Sequence, residues 1–425
     1  MSPPRPWTDE SGLIRHGSIL MAGTLVGAAC NAGFHMVVGR TLPNAEYGSL
    51  VAMLGVILAA TTPMQALQNT LAHFTSERMA AGRRDEVGGL LQHWVRLFLA
   101  LGLAIAGGAI AFRAPLAAFW GGVSPGLVVA TFAVLAASLW LSLFYGLLQG
   151  MQSFLWLAWA PQAWGAVRLA LAWGLTAAVS ATALAAIGAQ GAGVLVVLVL
   201  CLRAVAGMRL PRGGGAARPP GTYRYLGSAL VCLAGYAMLM NLDAALAKHY
   251  FDAEAAGLFA KAATIARTAV FLPVPVATVL FPKVTSSGDL TDGSWRLLGR
   301  AMAFAGLLIA AASGVCLLWP QLPWFILYGA APAADAAAAA ALTRAMVLAM
   351  SPLAAAYLLL NFEMAQRRFR WGFGLVPCGL AYVGGVALFH GRPLQIAAVL
   401  GALNLAAAAL LAAGVVVRRR RSPRG

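Results

Sequence analysis

Twelve apolar stretches run along the chain, at about residues 17–38, 48–71, 93–112, 126–148, 154–178, 186–206, 225–247, 257–281, 298–319, 340–361, 372–390 and 395–417. Each approaches the roughly 20 residues that a helix needs to cross a hydrocarbon core of about 30 Å. Several, among them 126–148 and 399–417, contain no charged residue. A membrane barrel would instead alternate polar and apolar residues in strands of about ten. The pattern therefore predicts helices, which satisfy their own backbone polar groups inside lipid.

The stretches form two sets of six, and both sets open with the same kind of hairpin. In the first, 17–38 reaches Gly39-Arg40, turns through Thr41 to Tyr47, and restarts at Gly48. In the second, 225–247 reaches Lys248-His249, turns through Tyr250 to Ala256, and restarts at Gly257. A duplicated six-helix membrane unit is the plan of a transporter. Both sets hold an even number of spans and start on the same side, so a pseudo-two-fold axis along the membrane normal is expected between them. The predicted organisation is a terminal segment 1–16, a six-helix bundle 17–207, a basic linker 208–224, a second bundle 225–417 and a basic tail 418–425. The linker contains Pro211-Arg-Gly-Gly-Gly-Ala-Ala-Arg-Pro-Pro-Gly221, a flexible composition.

Proline adds local structure to this plan. Pro63 follows Gly48 in the second span, and Pro273 and Pro275 stand at a similar distance after Gly257 in the eighth. Each removes an intrahelical hydrogen bond, so both helices are expected to bend at similar depth, as hinges or as tolerated kinks.

Composition agrees with the hydrophobic pattern. The 425 residues are 61% hydrophobic and 10% charged, with a mean hydropathy of +0.79, whereas soluble domains carry roughly 25% charged residues. The formal charge of +17 would fit a nucleic-acid partner, but the basic residues are distributed by side. Arg78, Arg83, Arg84, Arg203, Arg209, Arg212, Arg218, Arg224, Lys283, Arg296, Arg300, Arg367, Arg368, Arg370 and Arg418–Arg421 fall in or beside one set of alternate loops. The other set holds Arg40, Arg113, Lys248 and Arg392. The positive-inside bias places both termini in the cytoplasm and makes the Arg418–Arg421 run a topological anchor against anionic lipid. The segment 1–16 lacks the order of a cleaved signal, so the first span is expected to remain as an anchor.

Little else in the sequence carries chemistry. Cys30, Cys201, Cys232, Cys316 and Cys378 lie in or beside apolar spans without CxxC spacing, and they read as small buried residues. No GxSxG, HExxH or glycine-rich loop ending in Lys-Ser or Lys-Thr occurs. The expectation is a protein that is not an enzyme, with no cofactor, no metal and no ATP-driven pumping. The aromatic groups Trp156–Trp159, Trp319–Phe325 and Trp371 are expected at the headgroup belts.

Charges inside hydrocarbon cost about 2.5–3.5 kcal/mol on insertion scales, so each is a functional candidate. Arg168 lies near the middle of the fifth span and Arg267 near the middle of the eighth. Lys261 and Asp243 lie at similar outer depth in the eighth and seventh spans. Asp243 and Lys261 are expected to pair, as a lock or as an ion-coupling site. Arg168 and Arg267 have no carboxylate at matching depth and would suit an anionic ligand such as phosphate, or would cap carbonyls freed by a kink. Gln65, Gln68 and Asn69 form a polar stripe at i, i+3 and i+4 after Pro63, lining a pathway or bonding neighbouring helices. Asn31, Asn241 and Asn361 carry the same two readings.

With these motifs the chain resembles the polysaccharide and O-antigen flippases of the multidrug/oligosaccharidyl-lipid/polysaccharide exporter superfamily. The likeness is carried by Arg40-Thr-Leu-Pro-Asn-Ala-Glu-Tyr-Gly48, by Gly146-Leu-Leu-Gln-Gly-Met-Gln-Ser-Phe154, and by Asn241-Leu-Asp243 with Glu254-Ala-Ala-Gly-Leu-Phe259, and by Phe271-Leu-Pro273 leading to Leu280-Phe-Pro282. The resemblance implies two six-helix bundles around a cavity that opens alternately to each face. It implies as cargo an undecaprenyl-pyrophosphate-linked glycan, moved across the bacterial inner membrane for polysaccharide biosynthesis. Implied partners are the lipid-linked oligosaccharide, membrane lipids, a polysaccharide polymerase and glycosyltransferases, without nucleic acid. A cation or drug antiporter and a non-transporting scaffold for glycan assembly are the alternatives.

Overall fold

The computed structural model describes residues 10–208, 210, 222–271, 292–329 and 335–421. In chain order its helices are α1 (Glu10–Thr41), α2 (Asn44–Thr61), α3 (Met64–Ala80), α4 (Arg84–Ala111), α5 (Arg113–Phe119), α6 (Pro125–Gly150), α7 (Phe154–Ala178) and α8 (Ala183–Gly207). They continue with α9 (Thr222–Asn241), α10 (Asp243–Tyr250), α11 (Ala253–Phe271), α12 (Asp292–Leu318), α13 (Gln321–Tyr328) and α14 (Ala336–Ala365). A 3-10 turn (Gly372–Gly374), α15 (Leu375–Leu388) and α16 (Pro393–Arg421) complete the order. No strand occurs among the described residues. The fold is that of an all-α, multi-pass membrane protein: seven described helical stretches, one of them α2 and α3 taken together, are long and apolar enough to cross a bilayer, and the bent pair of α9 and α10 makes an eighth if read as one span.

Helix ends follow local chemistry. Ser124 Oγ accepts from the Leu127 backbone N–H at 3.2 Å, with Pro125 at the first helical position of α6. Thr182 Oγ1 does the same for Ala185 at the start of α8. The fourth and tenth spans close alike: Gln152 adopts φ 56° while Ser153 N–H donates to the Leu148 carbonyl, and Arg367 adopts φ 54° while Arg368 N–H donates to the Glu363 carbonyl.

The second span is interrupted where the proline predicts. Pro63 offers no N–H, α2 stops at Thr61 and α3 begins at Met64. Thr61 and Thr62 hydroxyls donate to the Ile57 and Leu58 carbonyls in the last turn before the break, and the Leu58 carbonyl also accepts from Thr62 N–H. The seventh span is broken too, without proline or glycine. It divides at Leu242, and α9 and α10 meet at 50°. Pro273 and Pro275, the other expected bends, lie outside the described residues, as do 272–291 generally and most of the linker 208–224.

The chain gathers into two compact units that do not coincide with its consecutive halves: Met1–Thr41, Leu67–Ala111 and Val129–Pro219 form one, and Leu42–Ala66, Phe112–Val128 and Pro220–Gly425 the other. In the first, Phe144, Leu148, Ala160, Val197, Cys201 and Ala204 form a core among α6, α7 and α8. Glycines let its helices approach. A Cβ on Gly146 would stand 2.7 Å from the Gln68 carbonyl oxygen and one on Gly150 2.6 Å from that of Ala72, so the Gly146-Leu-Leu-Gln-Gly150 motif is the face on which α3 rests.

In the second unit, α2 packs on α11 through the two restart glycines of the hairpins. Added Cβ atoms would come 2.9 Å from the Gly257 nitrogen at Gly48, and 2.1 Å from the Asn44 carbonyl oxygen at Gly257. Asn44 Nδ2 donates to Glu254 Oε2 at 2.9 Å beside this crossing. That contact between the repeated hairpins explains why 42–66 groups with the second half.

Candidate functional site

Each unit holds its own buried polar centre. In the first, Arg168 on α7 is 3% exposed. Its Nη1 donates to Gln190 Oε1 on α8 at 2.8 Å and its Nη2 to Asn31 Oδ1 on α1 at 2.5 Å. The guanidinium lies 3.8 Å from the Phe34 ring centre and 4.3 Å from that of Trp164. Helical spacing builds this cage, since Trp164 precedes Arg168 by four residues and Phe34 follows Asn31 by three. Among the described residues no carboxylate takes part. Desolvated cation–π contacts of about 2 kcal/mol and two charge-assisted hydrogen bonds hold the charge instead. Arg168 Nε and Trp164 Nε1 are buried without an acceptor.

Close helix approach makes the cage possible. A Cβ on Gly23 would stand 2.6 Å from the Ala158 carbonyl oxygen, and one on Gly193 2.9 Å from Trp164 Cδ1. The Gly23–Gly27 spacing brings α1 against α7, and Gly193 brings α8 against Trp164.

In the second unit, Asp243 is fully buried at the first position of α10 and forms an ion pair with Arg267 Nη2 of α11. Arg267 Nε donates to the Met240 carbonyl at 3.3 Å. One guanidinium therefore ties both edges of the Leu242 break, a carbonyl at the end of α9 and a carboxylate at the start of α10. This corrects two expectations. Arg267 is not an unpaired cation, and the partner of Asp243 is Arg267 rather than Lys261. The physical reason is reach: the break turns Asp243 toward a longer, forked donor that also satisfies the freed carbonyl. Asp243 Oδ2 and the nearby Tyr382 hydroxyl have no hydrogen-bond partner.

Lys261 lies among aromatic rings. Its Nζ stands 5.7 Å from the Tyr47 ring centre and 5.2 Å from that of Tyr328. Tyr47 Oη donates to Thr264 Oγ1 at 3.2 Å and lies 3.2 Å from Tyr328 Oη, which donates to the Lys261 carbonyl at 3.1 Å. Trp324 is 1% exposed, with Nε1 donating to Thr343 Oγ1 at 2.7 Å. It was expected in a headgroup belt and stands in the core; Trp156, Trp159 and Trp319 are exposed.

The polar stripe after Pro63 divides. Gln65 is exposed, Gln68 Nε2 donates to Gln149 Oε1 at 3.2 Å, and Asn69 is half-buried. Asn241 and Asn361 donate to carbonyls four residues back, those of Ala237 and Tyr357. A second buried carboxylate, Glu363 at 1% exposed, pairs with Arg418. Sequence reasoning missed Glu363, Gln190, Phe34, Trp164, Tyr47 and Tyr328. The i, i+4 spacing of Trp164 and Arg168 was a readable signal; contacts between separate helices were not.

No protein-family model matches the sequence, and no relative is found among curated proteins. Solved structures do match. An inward-facing multidrug resistance MATE family transporter of the MOP superfamily superposes with a TM-score of 0.74 at 12% identity, over 96% of this chain and 100% of the other. The lipid II flippase MurJ in an inward closed conformation gives 0.74 at 12% identity, over 93% and 87%. A MATE transporter in the bent conformation gives 0.65 at 12% identity, over 95% and 94%. The chain thus has the fold of these transporters across nearly its whole length.

Proposed function

We propose that this protein is a transporter of the bacterial inner membrane, with both termini cytoplasmic, that flips a lipid-linked oligosaccharide by alternating access during polysaccharide biosynthesis. The carrier lipid would be undecaprenyl pyrophosphate. The fold alone does not choose the cargo, since the similar structures include multidrug transporters and a lipid II flippase. Charge does. The carboxylates that are buried among the described residues, Asp243 and Glu363, are both ion-paired with arginine. Among the described residues, the other charges inside the apolar spans are positive, on Arg168 and Lys261, with Arg96 and Arg344 nearer the span ends. A site of that sign suits a pyrophosphate or an acidic sugar, whereas a cationic drug needs a free carboxylate.

In this reading Arg168 in the first unit and Lys261 in the second are, each taken singly, candidates to contact the polar head, while the polyprenyl tail stays in lipid. The Gln65, Gln68 and Asn69 stripe would offer hydrogen bonds to sugar hydroxyls, and the bend at Pro63 would serve as a hinge. Asp243 remains the ion-coupling candidate, because its unpartnered Oδ2 leaves room for a proton or small cation if Arg267 withdraws. The cargo implies its partners: glycosyltransferases that supply it and a polymerase that consumes it.

The test is a deletion strain. Loss of the gene should leave the undecaprenyl-linked glycan accumulated on the cytoplasmic leaflet, and Arg168→Gln should restore transport poorly at normal expression. An unchanged lipid-linked pool with normal surface polymer would remove the proposal. Resistance to cationic dyes that depends on Asp243 would favour the antiporter instead, and function surviving neutralisation of every intramembrane charge would favour the scaffold.

A further inference from the structure

A cavity of about 510 Å³ in the second unit is lined by Trp295, Arg296, Gly299 and Arg419. Its walls are built at the ends of two apolar helices. The apolar runs 298–319 and 395–417 read from the sequence begin just after Arg296 and end just before Arg419, so the lining residues fall at the expected boundary between hydrocarbon and headgroups. Leu298, Ala301 and Phe362 pack together there, with Trp295 and Val415 against them. The Trp295 and Phe362 ring centres are 5.6 Å apart. Arg419 follows Val415 by four residues, and so projects one turn beyond this apolar floor on the same face of α16.

The neighbouring arginine has a different fate. Arg418 is held by Glu363 and Gln366, which fixes the last described turns of α16. Arg296 and Arg419 are exposed and have no ion-pair partner among the described residues, and no described residue that lines the cavity is a carboxylate. At Gly299 an added Cβ would meet nothing within 4 Å, so the glycine adds no side chain to a cavity it shares with Trp295, Arg296 and Arg419.

We propose that this cavity binds the phosphate headgroup of an anionic phospholipid, taken laterally from the surrounding leaflet. Paired guanidinium forks match phosphate oxygens. The indole belongs at the headgroup level, and basic pockets between spans are the recurring form of anionic-lipid site. The volume is within the range of ordinary small-ligand pockets. Location selects a lipid over a soluble anion, because the acyl chains would lie along the apolar faces of α12 and α16. The inference does not depend on the cargo proposed above.

The full-length protein in neutral detergent provides the test, by native mass spectrometry and thermal unfolding with phosphatidylglycerol or phosphatidylcholine. Phosphatidylglycerol should be retained and raise the unfolding midpoint more than phosphatidylcholine. The double change Arg296→Gln with Arg419→Gln should weaken retention about tenfold or more while leaving the midpoint in phosphatidylcholine alone unchanged. Gly299→Leu, which keeps both charges and fills the space, should weaken it likewise, and it carries the test if the double variant fails to fold. Equal retention by Gly299→Leu and wild type would overturn the site. So would no preference between the lipids, or an equal midpoint rise from millimolar inorganic phosphate, which would mean a free-anion site.

Discussion

Gly48 and Gly257 meet backbone to backbone where α2 crosses α11: a Cβ on the first would stand 2.9 Å from the nitrogen of the second. Backbone has nowhere to retreat, unlike the end of a flexible side chain. Gly48→Val should therefore destabilise the protein by about 1–3 kcal/mol, read as a lower thermal midpoint in detergent. Gly107→Ala in α4 is the control, since its Cβ would meet nothing within 4 Å and helix propensity favours alanine. Equal midpoints for Gly48→Val and wild type would mean that the crossing is loose.

The Asp243–Arg267 pair predicts strong non-additivity. Asp243→Asn leaves a largely buried guanidinium without its counter-charge, a change that costs about 3–5 kcal/mol where the pair is fully buried and less here. Adding Arg267→Met removes the stranded charge, and the double variant should recover much of the loss. Chemical unfolding of the two single variants and the double one closes the cycle, and simply additive losses would mean that the two residues act independently.

The cage around Arg168 separates charge from shape. Arg168→Lys keeps the charge but replaces a planar fork by a point donor, which cannot serve Asn31, Gln190 and both ring faces together. Thermal stability and transport should both fall. Trp164→Phe keeps a ring and removes an N–H that has no acceptor, so it should stay within about 1 kcal/mol of wild type, whereas Trp164→Ala should cost about 3–5 kcal/mol. A Phe variant as damaged as the Ala variant would show that the indole N–H is used after all.

Orientation can be read by labelling. Cys201, Cys232 and Cys316 are buried, and Cys30 and Cys378 are half-buried, so the native background should react weakly with an impermeant maleimide. Ser124→Cys, exposed between α5 and α6, should label in intact cells once the outer barrier is opened. Ala81→Cys, exposed beside the basic turn of Arg83 and Arg84, should label only after the inner membrane is permeabilised. The reverse pattern would invert the topology.

Much of the fold was legible because hydrocarbon allows few solutions. Where no water can serve the backbone, long apolar runs must be helices, and the runs at 126–148, 186–206 and 395–417 became α6, α8 and α16 almost residue for residue. The break at Pro63 was equally local, since a missing N–H acts wherever it falls. The break at Leu242 was not, because no breaker residue marks it. A Cβ on Gly55 would lie 2.4 Å from the Asn241 carbonyl oxygen, so α2 presses on the end of α9, and Arg267 of α11 caps the carbonyl of Met240. Both causes come from other helices.

By itself, then, the sequence determined the solvent, the helices, the duplicated hairpins and the short roster of intramembrane charges, because transfer free energy is a property of each segment taken alone. Tertiary structure decided which groups each charge meets. Depth along a span placed Asp243 beside Lys261, but the direction in which a side chain leaves a bent helix gave it to Arg267 instead. The same information left Arg168 as a bare cation, and the packing of α1, α7 and α8 surrounded it with two amide oxygens and two aromatic faces. Partner choice depends on azimuth and on distances between helices far apart in the chain, and neither is written in the hydropathy of any one of them.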